Sequence, residues 1–446
     1  MLFTDEIKFS DHIAVKDDKG NQISYRQLYE EALNMDEYRG NRVLTLVYCD
    51  NSFENLIIVL KLFFLGQPMI LLSQNSDIAF RNDILESFLP SYFWEKGKLK
   101  KVDGGSNAFY EIHPDLALLL STSGSIGKPK LTKISYHNIA EELQIGTDEF
   151  QIDAGQKGMR ILPIEHVFGL AFCLYHWSVG GCIVTTDEHV MSARFDHLYD
   201  KEEIQNIAGI PFHYRILLKK GFWQDKRRIS RLNCALAAGA KLDESEQYAL
   251  VSLLQEKFVI CYGQTECTAV VTATAFKDPK AKPGTVGRPV SGVKASVDDK
   301  GELYIESDTV CMGYALDYRD LGQGDVNKGI IATGDLAYID EEGYIFLKGR
   351  IRRFVKILGN RIGLDELETL LRTNCPGHEF ACTGENDEIN VFFKRTDEYG
   401  LEDLCRKVFF KKANIPFSMI HCHFIEEFPR SSAGKILYSA LEAMLK

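Results

Sequence analysis

Short apolar runs alternate with amphipathic stretches along the first 263 residues. The runs fall at 43–48, 68–72, 116–120, 181–186, 235–238 and 258–262, lengths that suit single buried strands. Strands that alternate with helical stretches predict parallel sheets covered by helices. The most apolar segment, 56–72, is broken by Lys61, Gln67 and Pro68, so it reads as a buried helix running into a strand and falls short of a membrane span. Between about 285 and 348 the character changes. Segments 293–297 and 302–306 flank Asp299-Lys300-Gly301, and 336–339 and 344–347 flank Glu341-Glu342-Gly343. These are hairpin signals and predict a small antiparallel, barrel-like unit. After residue 352 the pattern resets: a helix over 364–371 with apolar Leu364, Leu367, Leu370 and Leu371, then strands, a helix over 401–411 and a last helix from Ile436. The expected fold class is α/β. A large N-terminal domain over 1–351 holds helix-covered sheets and the barrel-like unit at about 285–348, and a smaller, mobile α+β domain occupies 352–446.

Composition narrows the class of function. A chain of 446 residues, 45% hydrophobic, has enough apolar mass for a large core and a second domain. Its net charge of -11 offers no basic field for nucleic acid or an anionic membrane, so neither is an expected partner. Asp5, Glu6, Lys8 and Asp11 interrupt the start where a signal peptide needs an unbroken apolar core. Eleven cysteines without any CxxC spacing point to buried thiols in a reducing cytoplasm. His421-Cys422-His423 suggests a metal site at first sight. On an alternating strand with Ile420, Cys422 and Phe424 inward, however, the two histidines face away from the cysteine, and the structural reading is preferred.

Four segments carry candidate chemistry. In the first, 118–130, an apolar run ends in Ser121-Thr122-Ser123-Gly124-Ser125-Ile126-Gly127-Lys128. Glycines let backbone N–H groups close on phosphate oxygens, while hydroxyls and lysines add donors and charge. It is not a Walker A loop, because only two residues separate Gly124 from Gly127-Lys128 and a proline follows; an ordinary surface turn is the alternative. In the second, a buried-type run ends in Tyr262-Gly263-Gln264-Thr265-Glu266, where Thr265 suits a phosphate oxygen and Glu266 is a hard oxygen ligand of the kind Mg-ATP requires. A helix cap with a first-turn acid explains the same residues. The third, Thr333-Gly334-Asp335 followed by Gly349-Arg350, places an aspartate suited to a ribose, or a residue capping its own turn. The fourth is Pro429-Arg430-Ser431-Ser432-Ala433-Gly434-Lys435. A lysine there offsets the repulsion between a carboxylate and a phosphate, although a lone lysine before a helix is usually just solvated.

Taken in order, the segments resemble the adenylate-forming superfamily of acyl- and aryl-CoA synthetases, amino-acid adenylation domains and luciferase. Two further stretches add to the likeness: 162–169 looks like the acyl-site motif, with His166 at the gate, and 237–240 is similar to the adenine-side glycine pair. The resemblance covers the chain from about Leu116 to its end. It implies phosphate contacts from Thr122, Ser123, Gly124, Ser125, Gly127 and Lys128, adenine packing by Gly239, Ala240 and Tyr262, further nucleotide contacts from Gly263, Gln264 and Thr265, Mg2+ on Glu266, and ribose on Asp335 with Arg350. Lys435 is implied as the lysine that drives adenylation, and Arg352 stands at the hinge, where the family most often carries Asp or Lys. Ser125-Ile126 replaces the usual Thr-Thr, Leu131 and Ala238 replace glycines, and the chain is shorter than typical members.

The acyl-site run Glu165 to Phe172 contains no aspartate. Amino-acid-activating relatives pair such an aspartate with the substrate's ammonium; Glu165 is the alternative partner, but a neutral aryl or aliphatic acid is favoured, with Val167, Phe168 and Phe172 as pocket candidates. Coenzyme A, a carrier-protein pantetheine and an amine all remain chemically open as acceptor. Coenzyme A is the working choice, and the resemblance places its thiol path near Lys356, Gly359 and Asn360. The expected protein is a free-standing AMP-forming ligase with ATP, Mg2+ and coenzyme A as cofactors. A catalytically retired nucleotide binder is the rival, and retention of both Glu266 and Lys435 argues against it.

Overall fold

The computed structural model describes residues 2–102, 110–121, 129–275, 282–351, 353–357, 360–385, 387–394, 400–431 and 434–445, with the backbone alone at 275, 356, 360 and 361. The chain forms two compact units, one of residues 1–294 and 305–331, the other of residues 295–304 and 332–446.

Two sheets build the first unit. One runs, edge to edge, Tyr314–Ala315, Leu131–Ser135, Leu116–Ser121, Met69–Ser73, Thr45–Cys49, Tyr92–Glu95 and Lys98–Lys101. The other runs Arg288–Pro289, Thr272–Ala275, Phe258–Tyr262, Cys234–Ala237, Asn206–Gly209, Lys157–Met159, Cys182–Thr185, Ile13–Asp17 and Gln22–Ser24. The six apolar runs read from the sequence are all strands of these sheets. Their interiors are parallel, as expected, but both sheets finish in antiparallel pairs. Connection length decides this for Ile13–Asp17 with Gln22–Ser24 and for Tyr92–Glu95 with Lys98–Lys101, because a short turn can only reverse a strand. At Lys96-Gly97 both residues have positive φ, the requirement of a two-residue hairpin. The segment 56–72 splits as read into a helix, Phe53–Phe64, and the strand Met69–Ser73.

Helix packing on the second sheet depends on residues with no side chain. A Cβ at Gly158 would lie 2.6 Å from the imidazole of His176, and one at Gly146 would lie 2.1 Å from the ring of Tyr175. The helix Val167–Ser178 therefore presses His176 onto the strand Lys157–Met159 and Tyr175 onto the helix Tyr136–Phe150. The His176 imidazole is fully buried, with Nδ1 2.9 Å from the Phe172 carbonyl and Nε2 3.0 Å from the Asn206 amide nitrogen. A neutral ring that donates at Nδ1 and accepts at Nε2 satisfies both contacts.

The four-stranded sheet Lys294–Val297, Glu302–Glu306, Ile330–Ile339 and Ile345–Arg350 contains both predicted hairpins. Gly301 and Gly343 take positive φ at the turns, each donating its N–H to an aspartate carbonyl, Asp298 and Asp340 respectively. The second unit continues with the ribbon Phe354–Ile357 and Asn360–Gly363, the helix Leu364–Asn374, the sheet Phe380–Glu385, Glu388–Lys394 and Ile420–Ile425, and the helices Leu401–Ala413 and Tyr438–Ala443. Its core holds Leu364, Leu367 and Leu371 against Phe380, Val391, Phe393 and Phe409. Two expectations need correction. The last helix begins at Tyr438, because Ile436 instead forms a bridge with Arg430. On the strand Ile420–Ile425, Ile420 is buried and Cys422 partly so, but Phe424 is 54% exposed because the core ends before it. His423 stacks on Phe392 and meets Asn390 at 2.8 Å. All eleven cysteines are free thiols, ten of them buried. Among the described residues no helix is long and apolar enough to cross a membrane.

Burial pushes the His176 imidazole down to about 4. Its folded value lies below the ordinary 6.5, so the contribution of this buried neutral ring is complete above pH 6.5 and is lost as pH falls toward 4. Wild-type protein should lose about 2 kcal/mol between pH 7 and pH 5 from this group, and His176→Gln should show a correspondingly flatter decline in urea unfolding.

Candidate nucleotide and acyl-transfer site

Two neighbouring strand ends carry the candidate nucleotide residues of the first unit. Cys234–Ala237 and Phe258–Tyr262 pair in parallel, with Ala237 opposite Ile260. The segments that follow, Ala238-Gly239-Ala240 and Gly263 to Glu266, therefore leave the same end of the sheet, the usual ligand edge of an open α/β sheet. Gly239 has φ +86, and Gly239 and Ala240 are exposed while Tyr262 is buried.

The turn after Tyr262 folds back on itself. Val271 donates its N–H to the Tyr262 carbonyl at 2.9 Å, which brings the Ala269 carbonyl against Gly263. A Cβ at Gly263 would lie 1.5 Å from that oxygen, so only glycine fits. Thr265 and Glu266 occupy a 3-10 turn, half-buried, with Gln264 before them. The Tyr314 hydroxyl donates to Glu266 Oε1 at 2.8 Å, and the Lys130 ammonium lies 3.5 Å from the centre of the Tyr314 ring. Tyr314 thus orients the carboxylate and carries a cation on its face. Its own phenol is pushed up by burial and then by the Glu266 charge. A half-buried carboxylate of this kind suits a hard divalent cation.

Leu116–Ser121 returns antiparallel as Leu131–Ser135, so the loop between them connects a hairpin, unlike a Walker loop that opens a helix. Thr122, Ser123, Gly124, Ser125, Gly127 and Lys128 lie outside the described residues. His166 stands at the N-cap of Val167–Ser178, where its carbonyl accepts from the Leu170 N–H at 3.0 Å. His166, Val167 and Phe168 are half-buried, whereas Phe172 is fully buried with its ring 4.7 Å from that of His176.

In the second unit Asp335 and Arg350 face each other across Ile330–Ile339 and Ile345–Arg350. Arg350 Nε lies 2.7 Å from Asp335 Oδ1. The Asp335 N–H donates to Thr333 Oγ1 at 3.1 Å, and the Thr333 hydroxyl donates to the Leu303 carbonyl at 2.8 Å. Asp335 is consequently a fixed, largely buried acceptor beside an exposed guanidinium.

Lys435 is exposed on a braced loop. Ser431 accepts from the Gly434 N–H, and its own N–H donates to the Lys435 carbonyl, both at 2.8 Å. Gly434 has φ +74. Arg430 donates to the Gly434 carbonyl at 2.8 Å and pairs with Glu379 at 2.5 Å.

The family model described as "AMP-binding enzyme" matches residues 84–315, just over half of the 446-residue chain. The chain belongs to the AMP-binding enzyme family. Among curated members it is 26% identical over 367 residues to the peroxisomal OPC-8:0-CoA ligase 1 of Arabidopsis thaliana, covering 76% of this chain and 66% of that protein. It is 25% identical over 387 residues to 4-coumarate–CoA ligase 2 of Oryza sativa subsp. japonica, covering 81% and 67%. The chain thus spans about two thirds of the length of these relatives. The ATP-bound structure of MatB from Rhodopseudomonas palustris superposes with a TM-score of 0.82 at 20% identity, over 100% of this chain and 98% of that one. The o-succinylbenzoate CoA synthetase of Bacillus subtilis, in complex with its acyl-adenylate intermediate, does so with 0.77 at 18%, over 97% and 95%. The fold is that of this family: a large N-terminal domain, an antiparallel half-barrel and a small C-terminal α/β domain.

Within this family fold the structure adds residues that the sequence motifs missed. Tyr314 has no sequence signal, since it lies 48 positions from Glu266. Arg353 is a second case. It pairs with Asp365 and, at 2.8 Å, with Glu368, donates to the Cys382 carbonyl at 2.9 Å, and lies 3.6 Å from the centre of the Tyr438 ring. Tyr438 in turn donates to Glu368 at 3.1 Å. Burial pushes the Glu368 carboxyl up while Arg353 pulls it down. Together these contacts tie the segment beside residue 352 to the helix that follows the Lys435 loop. Arg352 and Gly359 lie outside the described residues, as does the side chain of Lys356.

Gly263→Ala should displace the turn that carries Thr265 and Glu266; if that turn binds Mg-ATP, a calorimetric titration should show affinity lowered at least about ten-fold. Arg353→Ala leaves Glu368 buried without its main partner and should destabilise the second unit by about 3 kcal/mol, read by chemical unfolding.

Proposed function

We propose that the protein is an AMP-forming acid–thiol ligase that activates a carboxylic acid with Mg-ATP and passes the acyl group to the thiol of coenzyme A. The observation that carries this reading is that a chain of this family fold holds, each within its own unit, an oriented carboxylate, Glu266, at a sheet's ligand edge and an exposed lysine, Lys435, on a loop braced by Arg430. In the first half-reaction a carboxylate oxygen of the acid bonds to the α-phosphorus of ATP as the bond to the β-phosphate oxygen breaks, giving acyl-AMP and pyrophosphate. Two anionic groups must approach each other, and the Lys435 ammonium offsets that repulsion where charge develops. Glu266 would hold the Mg2+, which when bound neutralises phosphate charge. Asp335, oriented by Thr333 and Arg350, takes the ribose hydroxyls; Gly239, Ala240 and Tyr262 pack the adenine; Gly263, Gln264, Thr265 and the 122–128 loop hold phosphate. In the second half-reaction the thiol loses its proton, its sulfur attacks the acyl carbonyl, and AMP leaves.

The domain boundary falls at 351/352 in this reading, with Arg352 as the hinge about which 352–446 turn between the two half-reactions. Lys356, Gly359 and Asn360 are the residues this reading assigns to the thiol; Gly359 and the side chains of the other two lie outside the described residues. A neutral acid fits the acyl-site helix: His166, Val167 and Phe168 are half-buried beside the fully buried Phe172, and no aspartate stands in that run to receive an ammonium.

Lys435→Ala should lower acid-dependent ATP–pyrophosphate exchange by about 100-fold or more while sparing thioester formation from supplied acyl-AMP. Exchange at the wild-type rate would remove Lys435 from the reaction. A pyrophosphate-release panel of aryl, short-chain, medium-chain and amino acids, with coenzyme A present or absent, selects the acid and tests the acceptor.

A further inference from the structure

Glu142 has no role in the chemistry above, yet it is 2% exposed in the middle of the helix Tyr136–Phe150. A carboxyl group placed there must be compensated by hydrogen bonds. Its Oε1 accepts twice, from the Tyr175 hydroxyl and from the Val270 N–H at 3.2 Å. Tyr175 belongs to the helix that begins at the acyl-site histidine, His166. Val270 directly precedes Val271, whose N–H closes the turn that holds Gly263, Thr265 and Glu266. The glycine at position 146 allows this arrangement, because any Cβ there would collide with the Tyr175 ring.

Glu142 Oε2 has no hydrogen-bond partner among the described residues. Glu142 also lines a void of about 10 Å³ with Val167, Leu170, Ala171, Leu174 and Thr268. That space holds at most one water-sized group, so it is no substrate pocket. Burial pushes the carboxyl well above its ordinary range. The protonated group can keep its proton on Oε2 and both lone pairs of Oε1 for its partners.

We propose that Glu142 is a positioning residue that fixes the nucleotide-side turn to the helix of the acyl-site motif by sharing one oxygen between Val270 and Tyr175. Its functional consequence rests on the ligase reading of the site. Through this oxygen the register of the Thr265–Glu266 turn is set by the same helix that carries His166. A glutamine preserves the acceptor and the shape, whereas leucine leaves the Val270 N–H and the Tyr175 hydroxyl buried without an acceptor, a loss that reaches the turn first.

The test compares wild type, Glu142→Gln, Glu142→Leu and Tyr175→Phe, each checked for folding by circular dichroism. Amide hydrogen exchange at Val270 should accelerate about ten-fold or more in Glu142→Leu and stay at the wild-type level in Glu142→Gln and Tyr175→Phe. Titration with Mg-ATP alone should show Kd raised about ten-fold in Glu142→Leu and restored by Glu142→Gln. If Glu142→Leu does not fold, Glu142→Asp, one methylene too short to hold both partners, takes its place in both measurements. Wild-type protection of Val270, or an unchanged Mg-ATP affinity, in a folded leucine or aspartate variant overturns the proposal. Failure of the wild type to bind Mg-ATP would instead strike the ligase reading, and the exchange comparison would still decide whether Glu142 holds the turn.

Discussion

Cys234–Ala237 and Phe258–Tyr262 run side by side in one direction, wholly buried, with their backbone hydrogen bonds exchanged between them. Because their pairing is parallel, both must end at the same edge, where the pairing between the two strands stops. Backbone donors and polar side chains collect there by geometric necessity, free to meet a ligand. The turn after Tyr262 is then held rigid by the Ala269 carbonyl packed on Gly263 and by the Val271 N–H on Tyr262. Parallel pairing thus supplies the location, and close backbone approach supplies the precision.

The second unit solves a different problem, that of presenting an exposed lysine without letting its loop wander. Lys435 itself is exposed, but residues on each side of it are buried or paired. Phe428 is buried, Arg430 spans Glu379 and the Gly434 carbonyl, and Tyr438 lies against Arg353. Charge pairing around a buried Glu368 brings one helix and one strand to a common point. Fixed surroundings limit the positions that the loop carrying the ammonium can take.

Much of this was readable in the linear sequence. Unbroken apolar runs gave the buried strands because parallel strands are covered on both faces. Asp299-Lys300-Gly301 and Glu341-Glu342-Gly343 mark the hairpins because glycine takes the left-handed turn position at the least steric cost. Ordered motifs single out Glu266, Asp335 and Lys435 as candidates because each stands beside a glycine in a turn where its chemistry suits a nucleotide. What the sequence hid depends on tertiary contact. Tyr314 meets Glu266 only after the chain returns past the Leu131–Ser135 strand. Glu142 looks like an ordinary helix-surface acid until Tyr175 and Val270 arrive. Phe424 was assigned inward by alternation, but alternation gives a face and not the extent of the core behind it. Ile436 carried a helical apolar pattern, yet its backbone is committed to a bridge with Arg430.

The antiparallel borders of the two large sheets also have a consequence for the protein's behaviour in a crowded solution. An open strand border can recruit a border from another molecule, and long, flat, apolar ones do so readily. Here one sheet stops at Tyr314–Ala315 and at Lys98–Lys101, whose side chains are three lysines and a leucine; the other stops at Arg288–Pro289 and at the three-residue Gln22–Ser24. Brevity, like charges and a proline without an N–H make each of the four borders a poor template. Among the described residues, the borders of these two sheets therefore offer little for a strand of another molecule to pair with.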